Sequence, residues 1–541
     1  MKKLSFLLGG VLLLSTLFLT SCDKVMSKLD NPVSSYLQID QTDVVLAVGA
    51  ETTRIAETIT TETVTYTSSA PEVATVDEIT GKVIAVAPGE AVITANVKAN
   101  DYYMAGTQSY KVKVLSITLN KTEAPIGIDG YQALTATILP ADAFGYELKW
   151  SSDNEKVATV SETGDVKAIA EGTANITAEI AGIKAVCALT TKDKVDLSTL
   201  TGDYVAEDGD VLTGVATDYI YVDIPAGASV TFSDATVSGN VYCSGDAAVF
   251  LAEGTNNTIY GSNTTALIVG PESTTLTIKG KGQMNVYGDA WGNNYVAAGI
   301  GTAWGQLLGG NLIIEDGIIN AYGRYAAAIG SNSGGSTMGD ITIKGGTVTA
   351  TQQNNAGSGI GSGMGYYGES RCGNITISGG TVVAQGGYMA AGIGAGGLYS
   401  WSGSDYACSC GNITITGGNV TAYGGSYAAG IGTGIKYYSD YTNTPVCGDI
   451  TISGGTVVAT KGNYALYDVG PGEYSGNPGT YAGQVGTVNV SVAVKDYNGN
   501  DATIYTPEAA SAPSRRANAD NMSLPLAPDS DVQPKVGKSL R

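Results

Sequence analysis

The 541-residue sequence contains no histidine. That absence excludes imidazole zinc sites, serine–histidine and cysteine–histidine nucleophile pairs, and the commonest general base. Catalysis is left to carboxylates, lysine, arginine, tyrosine or an oxygen-held cation. Charged side chains are scarce, 15% of the chain against the usual quarter, and the net charge is −21. A surface so negative repels nucleic acid, which argues against that partner. Seven cysteines without CxxC spacing make no zinc or disulfide framework. With only 15 prolines and no Gly-X-Y register, the 74 glycines are not those of a collagen. A hydrophobic share of 43% excludes both a disordered polyelectrolyte and a polytopic membrane protein. Many short strands joined by tight glycine turns account for the glycine excess.

The N-terminus reads as an address. Lys2 and Lys3 precede a mostly apolar run from Leu4 to Leu19, and Leu19-Thr20-Ser21-Cys22 follows at once. This resembles the signal peptide and lipobox of bacterial lipoproteins. The resemblance implies removal of residues 1–21 and diacylation of Cys22. The result would be a membrane-anchored, extracytoplasmic lipoprotein at the cell surface or outer membrane. Residues 22–35 read as a linker.

An internal duplication comes next. Ser68-Ser69-Ala70-Pro71-Glu72-Val73-Ala74-Thr75-Val76 returns, 83 residues later, within Ser151-Ser152-Asp153-Asn154-Glu155-Lys156-Val157-Ala158-Thr159-Val160. Gly89-Glu90-Ala91-Val92-Ile93-Thr94-Ala95 returns as Gly172-Thr173-Ala174-Asn175-Ile176-Thr177-Ala178. Period-two alternation bounded by glycine and proline predicts a β-sandwich for each copy, with Tyr66 and Trp150 as matching core aromatics and Cys187 buried. The pattern resembles group 2 bacterial Ig-like domains, over residues 36–116 and 117–193. That resemblance implies spacers that sometimes bind partners.

Residues 194–505 read as a ladder. The phrase Gly373-Asn374-Ile375-Thr376-Ile377-Ser378-Gly379-Gly380-Thr381-Val382-Val383-Ala384, then Ala390-Ala391-Gly392-Ile393-Gly394, recurs with Ile-Thr-Ile starting at Ile341, Ile375, Ile413 and Ile450. Three strands of about three residues cannot bury themselves. Stacked coil on coil, each pairs with its copy about 4.8 Å away, which predicts a parallel β-helix of about eight coils. Variable spacing is absorbed between Gly-Ile-Gly and the next Ile-Thr-Ile, so the loops should leave one edge. With the entry segments Gly202-Asp203-Tyr204 and Val249-Phe250-Leu251, this resembles carbohydrate-binding right-handed β-helix domains of the pectate-lyase-like kind. The resemblance implies cellulose-like or acidic polysaccharide partners and an association with calcium. The whole is an all-β protein, two Ig-like sandwiches followed by a solenoid. Residues 506–541, rich in Ala, Ser, Pro and Asp, read as a disordered tail.

Three features bear on function. Aromatics crowd the loops: Trp304, then Tyr366 and Tyr367, Tyr399, Trp401 and Tyr406, and Tyr437, Tyr438 and Tyr441. Read as a platform, their faces stack on sugar rings; read as packing, they cover the loop edge; a protein interface is the third reading. Cys372, Cys410 and Cys447 precede successive phrases and should stack as a buried thiol ladder, because in-register side chains run alongside one another. Acidic residues at the loop edge, Asp340, Asp405, Asp440, Asp449 and Glu369, are where calcium could sit, although no cofactor is required by any motif.

Gly392–Gly397 fits GxGxxG, but no helix follows and no nucleotide site is expected. The expected function is therefore polysaccharide binding at a cell surface, without catalysis. The alternatives are a structural or protein-binding adhesin and, with Arg371 as base, a calcium-dependent polysaccharide lyase or hydrolase.

Overall fold

The computed structural model describes residues 32–288, 296–353, 356–365, 368–398, 406–438 and 442–506. Among these no α-helix occurs; two short 3-10 turns, Ala143–Gly145 and Leu197–Thr199, interrupt an otherwise all-β chain. No helix among them is long and apolar enough to cross a membrane. Cys22 and the tail from residue 507 lie outside the described residues.

The first repeat forms a sandwich. Gly89–Val97 lies between Gly106–Leu119 and Thr65–Ser68, antiparallel to both, and Glu51–Thr53, Lys82–Ala85 and Ala74–Val76 form the facing sheet. Alternation delivers Ala91, Ile93, Ala95 and Val97 to the core. Tyr66 is buried there as expected, its hydroxyl accepting from the Ala56 amide at 2.7 Å.

The second repeat copies this arrangement, with Trp150 partly buried against Val166, Ile176 and the buried Cys187. A glycine is required at the same place in each copy. Gly81 and Gly164 have φ of 67° and 88°, and a Cβ there would lie 2.9 Å from Tyr66 Cζ and 2.8 Å from Trp150 Cζ2.

From Val195 onward the chain winds as a parallel β-helix. Its phrases stack in the register their sequences imply: Ile341, Ile375, Ile413 and Ile450 are successive partners, as are Ile329, Ile360, Ile393, Ile431 and Val469. These side chains are fully buried in one continuous core. The Gly-Ile-Gly strands form a ten-stranded ladder from Tyr204–Val205 to Val469–Gly470, so there are ten rungs where about eight coils are expected. The second glycine of the phrase is obligatory. At Gly361, φ is 136° and a Cβ would sit 2.0 Å from the carbonyl oxygen of Gly394 in the next coil. The expectation of three strands per coil also needs correction. From Ser336 a fourth ladder joins, Ser336–Met338, Ser370–Cys372, Cys408–Cys410, Val446–Cys447 and Gln484–Val485, at the base of the loops.

A second row ties each coil to the next at the start of Ile-Thr-Ile. Asn311, Asp340, Asn374, Asn412 and Asp449 each accept, through Oδ1, the backbone N–H one coil on, at 2.7–2.9 Å. This explains the Gly-Asn/Asp-Ile-Thr-Ile spelling.

The second sandwich packs against the side of the helix, on one outward row that runs through Val211, Thr231, Phe250 and Lys279 of successive coils. Tyr131 stacks on Phe250 with centroids 5.2 Å apart and planes 10° apart. Gly127 and Gly130 lie so close to Val211 that a Cβ at either would meet its Cγ2 within 2.7 Å. Lys192 pairs with the buried Asp210 at 2.7 Å, and Lys279 bridges Asp165 of the sandwich and Glu315 of the helix at 2.9 and 3.2 Å. Burial opposes the Lys279 charge, but the two carboxylates outweigh it and raise its pKa. The second module thus lies against the first coils of the solenoid rather than apart from them. At the C-terminal end, Ile504 and Tyr505 cover the last Gly-Ile-Gly rung, with the Tyr505 amide donating to the Val469 carbonyl at 2.9 Å.

Candidate ligand-binding surface

Of the loop aromatics expected to form a platform, Tyr366, Tyr367, Tyr399, Trp401 and Tyr441 lie outside the described residues. Trp304 is 46% exposed and lies over Gly334, whose missing side chain leaves room for the indole. Leu307 and Leu308 beside it are 74% and 50% exposed. Tyr406 is half-buried.

Tyr437 is a correction. It is buried among Met364, Met389, Tyr427, Ile435 and Tyr481, with Tyr438 set edge-on against it at 4.7 Å, so its face is not offered to a ligand. Tyr388, Tyr464 and Tyr474 extend the same aromatic cluster around Tyr427. Burial, together with the Tyr388 hydroxyl, pushes the Tyr427 pKa well above its ordinary value. At these positions the rings pack on one another, because loops without helices have no other means of drying their inner side.

Asp340 and Asp449 each commit one carboxylate oxygen to a backbone amide. Glu369 pairs with Arg371 at 2.7 Å. Asp405 and Asp440 lie outside the described residues. Among the described residues no three acidic or cysteine side chains gather as a metal site.

The cysteine expectation is overturned in part. Cys410 and Cys447 form a disulfide, while Cys372, Cys408, Cys243 and Cys187 are free and buried. Parallel neighbours in this ladder have Cα atoms 4.8 Å apart, inside disulfide range, and rotation about χ1 suffices to turn two sulfurs together. The Cys408 thiol donates to the Gly396 carbonyl at 3.0 Å, and burial pushes its pKa up to about 12.

A surface that the loop aromatics do not announce lies on the strands after the Gly-Gly corner. Seven of them stack from Asn256–Tyr260 through Gln283–Tyr287, Ile318–Gly323, Thr347–Gln352, Thr381–Gln385 and Asn419–Tyr423 to Thr456–Thr460. Alternation turns three side chains per strand outward, giving three rows along the helix.

One row is Tyr260, Tyr287, Tyr322, Thr351, Gln385, Tyr423 and Thr460. Its first three rings stack at 5.4 and 4.7 Å, nearly parallel, so their edges and hydroxyls face outward. In the middle row Asn320 donates to Asn285 at 2.9 Å, and Asn285 donates across to Asn256 at 2.8 Å. None of the 21 outward positions is charged, in a chain of net charge −21; they are Thr, Asn, Gln and Tyr with one Ile and two Val. Rungs lie about 4.8 Å apart and rows about 6.7 Å apart, a flat grid of neutral donors and acceptors. Its signal in the sequence is a tyrosine as fifth residue of three successive short strands, which the uneven coil lengths hide.

Comparison with known proteins follows this division. Residues 36–103 and 113–181 match the model of the bacterial Ig-like domain (group 2), and 341–364, 375–397, 413–435 and 450–476 match a β-helix repeat. An uncharacterized protein of Clostridium acetobutylicum is 29% identical over 145 residues, 27% of this chain and 14% of its own length. An α-L-arabinofuranosidase of Bifidobacterium longum is 48% identical over 54 residues, 10% of this chain and 5% of its own. The chain thus spans only a small part of these relatives.

Among solved structures, an intimin fragment bound to its translocated receptor aligns with TM-score 0.23 and 17% identity, covering 29% of this chain and 63% of that one. The surface layer protein SbsC aligns with TM-score 0.14 and 20% identity, covering 26% and 21%. The chain therefore carries two bacterial Ig-like domains of group 2 followed by a β-helix repeat region.

Proposed function

We propose that this protein is a lipid-anchored surface protein whose β-helix binds polysaccharide, held off the membrane by its first Ig-like domain. The observation that carries the ligand reading is the charge-free grid of threonine, asparagine, glutamine and tyrosine along seven coils. A neutral chain of sugars offers hydroxyls at comparable intervals and brings no charge for the −21 chain to repel. Each contact is weak, and affinity accumulates along the grid as the oligosaccharide lengthens. Trp304 at the loop edge adds an exposed ring for stacking. The lipobox residue Cys22 supplies the anchor, testable by loss of palmitate labelling in Cys22→Ala. The protein acts as a binder; arginine chemistry is disfavoured because Arg371 is engaged by Glu369.

The test is a glycan array with and without calcium, followed by titration with oligosaccharides of increasing length. Wild type should bind with affinity rising with length. Thr349→Lys with Thr421→Lys, which charges the middle of the grid, should weaken the longest ligand about tenfold or more. Equal binding by that variant removes the grid as the site. Binding to no glycan removes the reading altogether, and new reducing ends or unsaturated products would make the protein an enzyme. A protein-binding adhesin is the second reading, favoured by the exposed Trp304, Leu307 and Leu308.

A further inference from the structure

Cys372, Cys410 and Cys447 occupy one row of the fourth ladder, paired in the register Cys372 with Cys410 and Cys410 with Cys447. The disulfide uses the second of these rungs, where the Cα atoms are 4.8 Å apart, and leaves Cys372 free and buried. The first rung belongs to the same parallel ladder, whose strands lie about 4.8 Å apart throughout, so Cys410 has two partners at equivalent positions. Met338, the next residue down the row, ends it.

We propose that Cys410 is a shared partner and that the disulfide migrates between Cys410–Cys447 and Cys372–Cys410 by thiol–disulfide exchange. The Cys372 thiolate attacks Cys410 Sγ, the bond to Cys447 breaks as the new bond forms, and Cys447 leaves as thiolate and takes up the proton that Cys372 released. No oxidant or reductant is consumed. Three consecutive rungs of one row bring the three cysteine backbones into register; the Cys372 thiol lies 3.9 Å from the Gly339 carbonyl one coil back, so its attack on Cys410 Sγ follows a rotation about χ1. Burial holds the Cys372 thiol mostly protonated, so exchange awaits opening of the coil or a small thiol catalyst.

The consequence falls on the coils. A Cys410–Cys447 bond closes the coil between those two rungs, whereas a Cys372–Cys410 bond closes the preceding one. Movement of one bond thus transfers a covalent staple between neighbouring coils.

The experiment maps disulfides in the full chain. Oxidised wild type is incubated with a trace of glutathione at pH 8, quenched with acid, alkylated and digested with chymotrypsin, and linked peptides are fragmented to separate Cys408 from Cys410. The Cys372–Cys410 link should appear within about tenfold of the Cys410–Cys447 link. In Cys447→Ser, refolded under oxidising conditions, Cys372–Cys410 should become the dominant link. Wild type showing Cys410–Cys447 alone after catalysis, or any link through Cys408, overturns the proposal, even if Cys447→Ser fails to fold.

Discussion

Whether the second Ig-like domain stands free or braces the side of the solenoid turns on one ring. Tyr131 covers one face of Phe250, which points outward from Ala247–Leu251 and is nonetheless buried. Tyr131→Ala exposes that face, at about 1.5 kcal/mol for the apolar area returned to water. It also removes a stacked pair worth about 1 kcal/mol and the Lys167 ammonium contact 5.5 Å from the ring centroid, worth about 0.5 kcal/mol. The sum is about 3 kcal/mol.

If the domain and the solenoid unfold together, roughly 370 residues melt as one unit with an unfolding entropy of about 0.8 kcal/mol/K, and the midpoint should fall by about 4 °C. Differential scanning calorimetry of the full chain reads this directly. A braced domain predicts one large transition that moves as a whole. A free-standing domain predicts a small separate transition that moves while the large one stays within a degree. The second pattern would refute the bracing argument.

Two further outcomes follow from named contacts. Gly361→Ala puts a Cβ 2.0 Å from the Gly394 carbonyl and should destabilise by more than about 3 kcal/mol, whereas Gly335→Ala meets nothing within 4 Å and should cost about 1 kcal/mol for its φ of 70°; urea titration ranks them. Burial pushes the Glu315 carboxyl up, but Lys344 and Lys279 outweigh it and hold its pKa below the ordinary value. Its contribution to stability is therefore present above the ordinary glutamate range and is lost as pH falls through the depressed folded value. Glu315→Gln should flatten the acid limb of a stability–pH profile, and an unchanged limb would count against that ion-pair arrangement.

Much of the architecture is legible before any coordinates. Ile375 and Ile377 face inward because alternation and flanking glycines leave no other arrangement, and the duplicated Ser-Ser and Gly-Glu-Ala phrases announce two sandwiches. The site is less legible. Tyr437 belongs to a run of loop aromatics that resembles a binding surface, yet it packs into the satellite cluster. Tyr260, Tyr287 and Tyr322 sit on strands, spaced unevenly at 27 and 35 residues, and only pairing makes them a row.

The repeating phrase by itself determined that this chain winds into stacked coils and which side chains are inside, because burial and glycine geometry act within a few residues and leave a periodic mark. Only the tertiary structure decided the fourth ladder, the disulfide and the free thiol beside it, the packing of the second Ig-like domain on the side of the first coils and the neutral grid of the outer face. Each of these joins residues one or more coils apart, and the variable loops between coils erase that distance from the linear pattern.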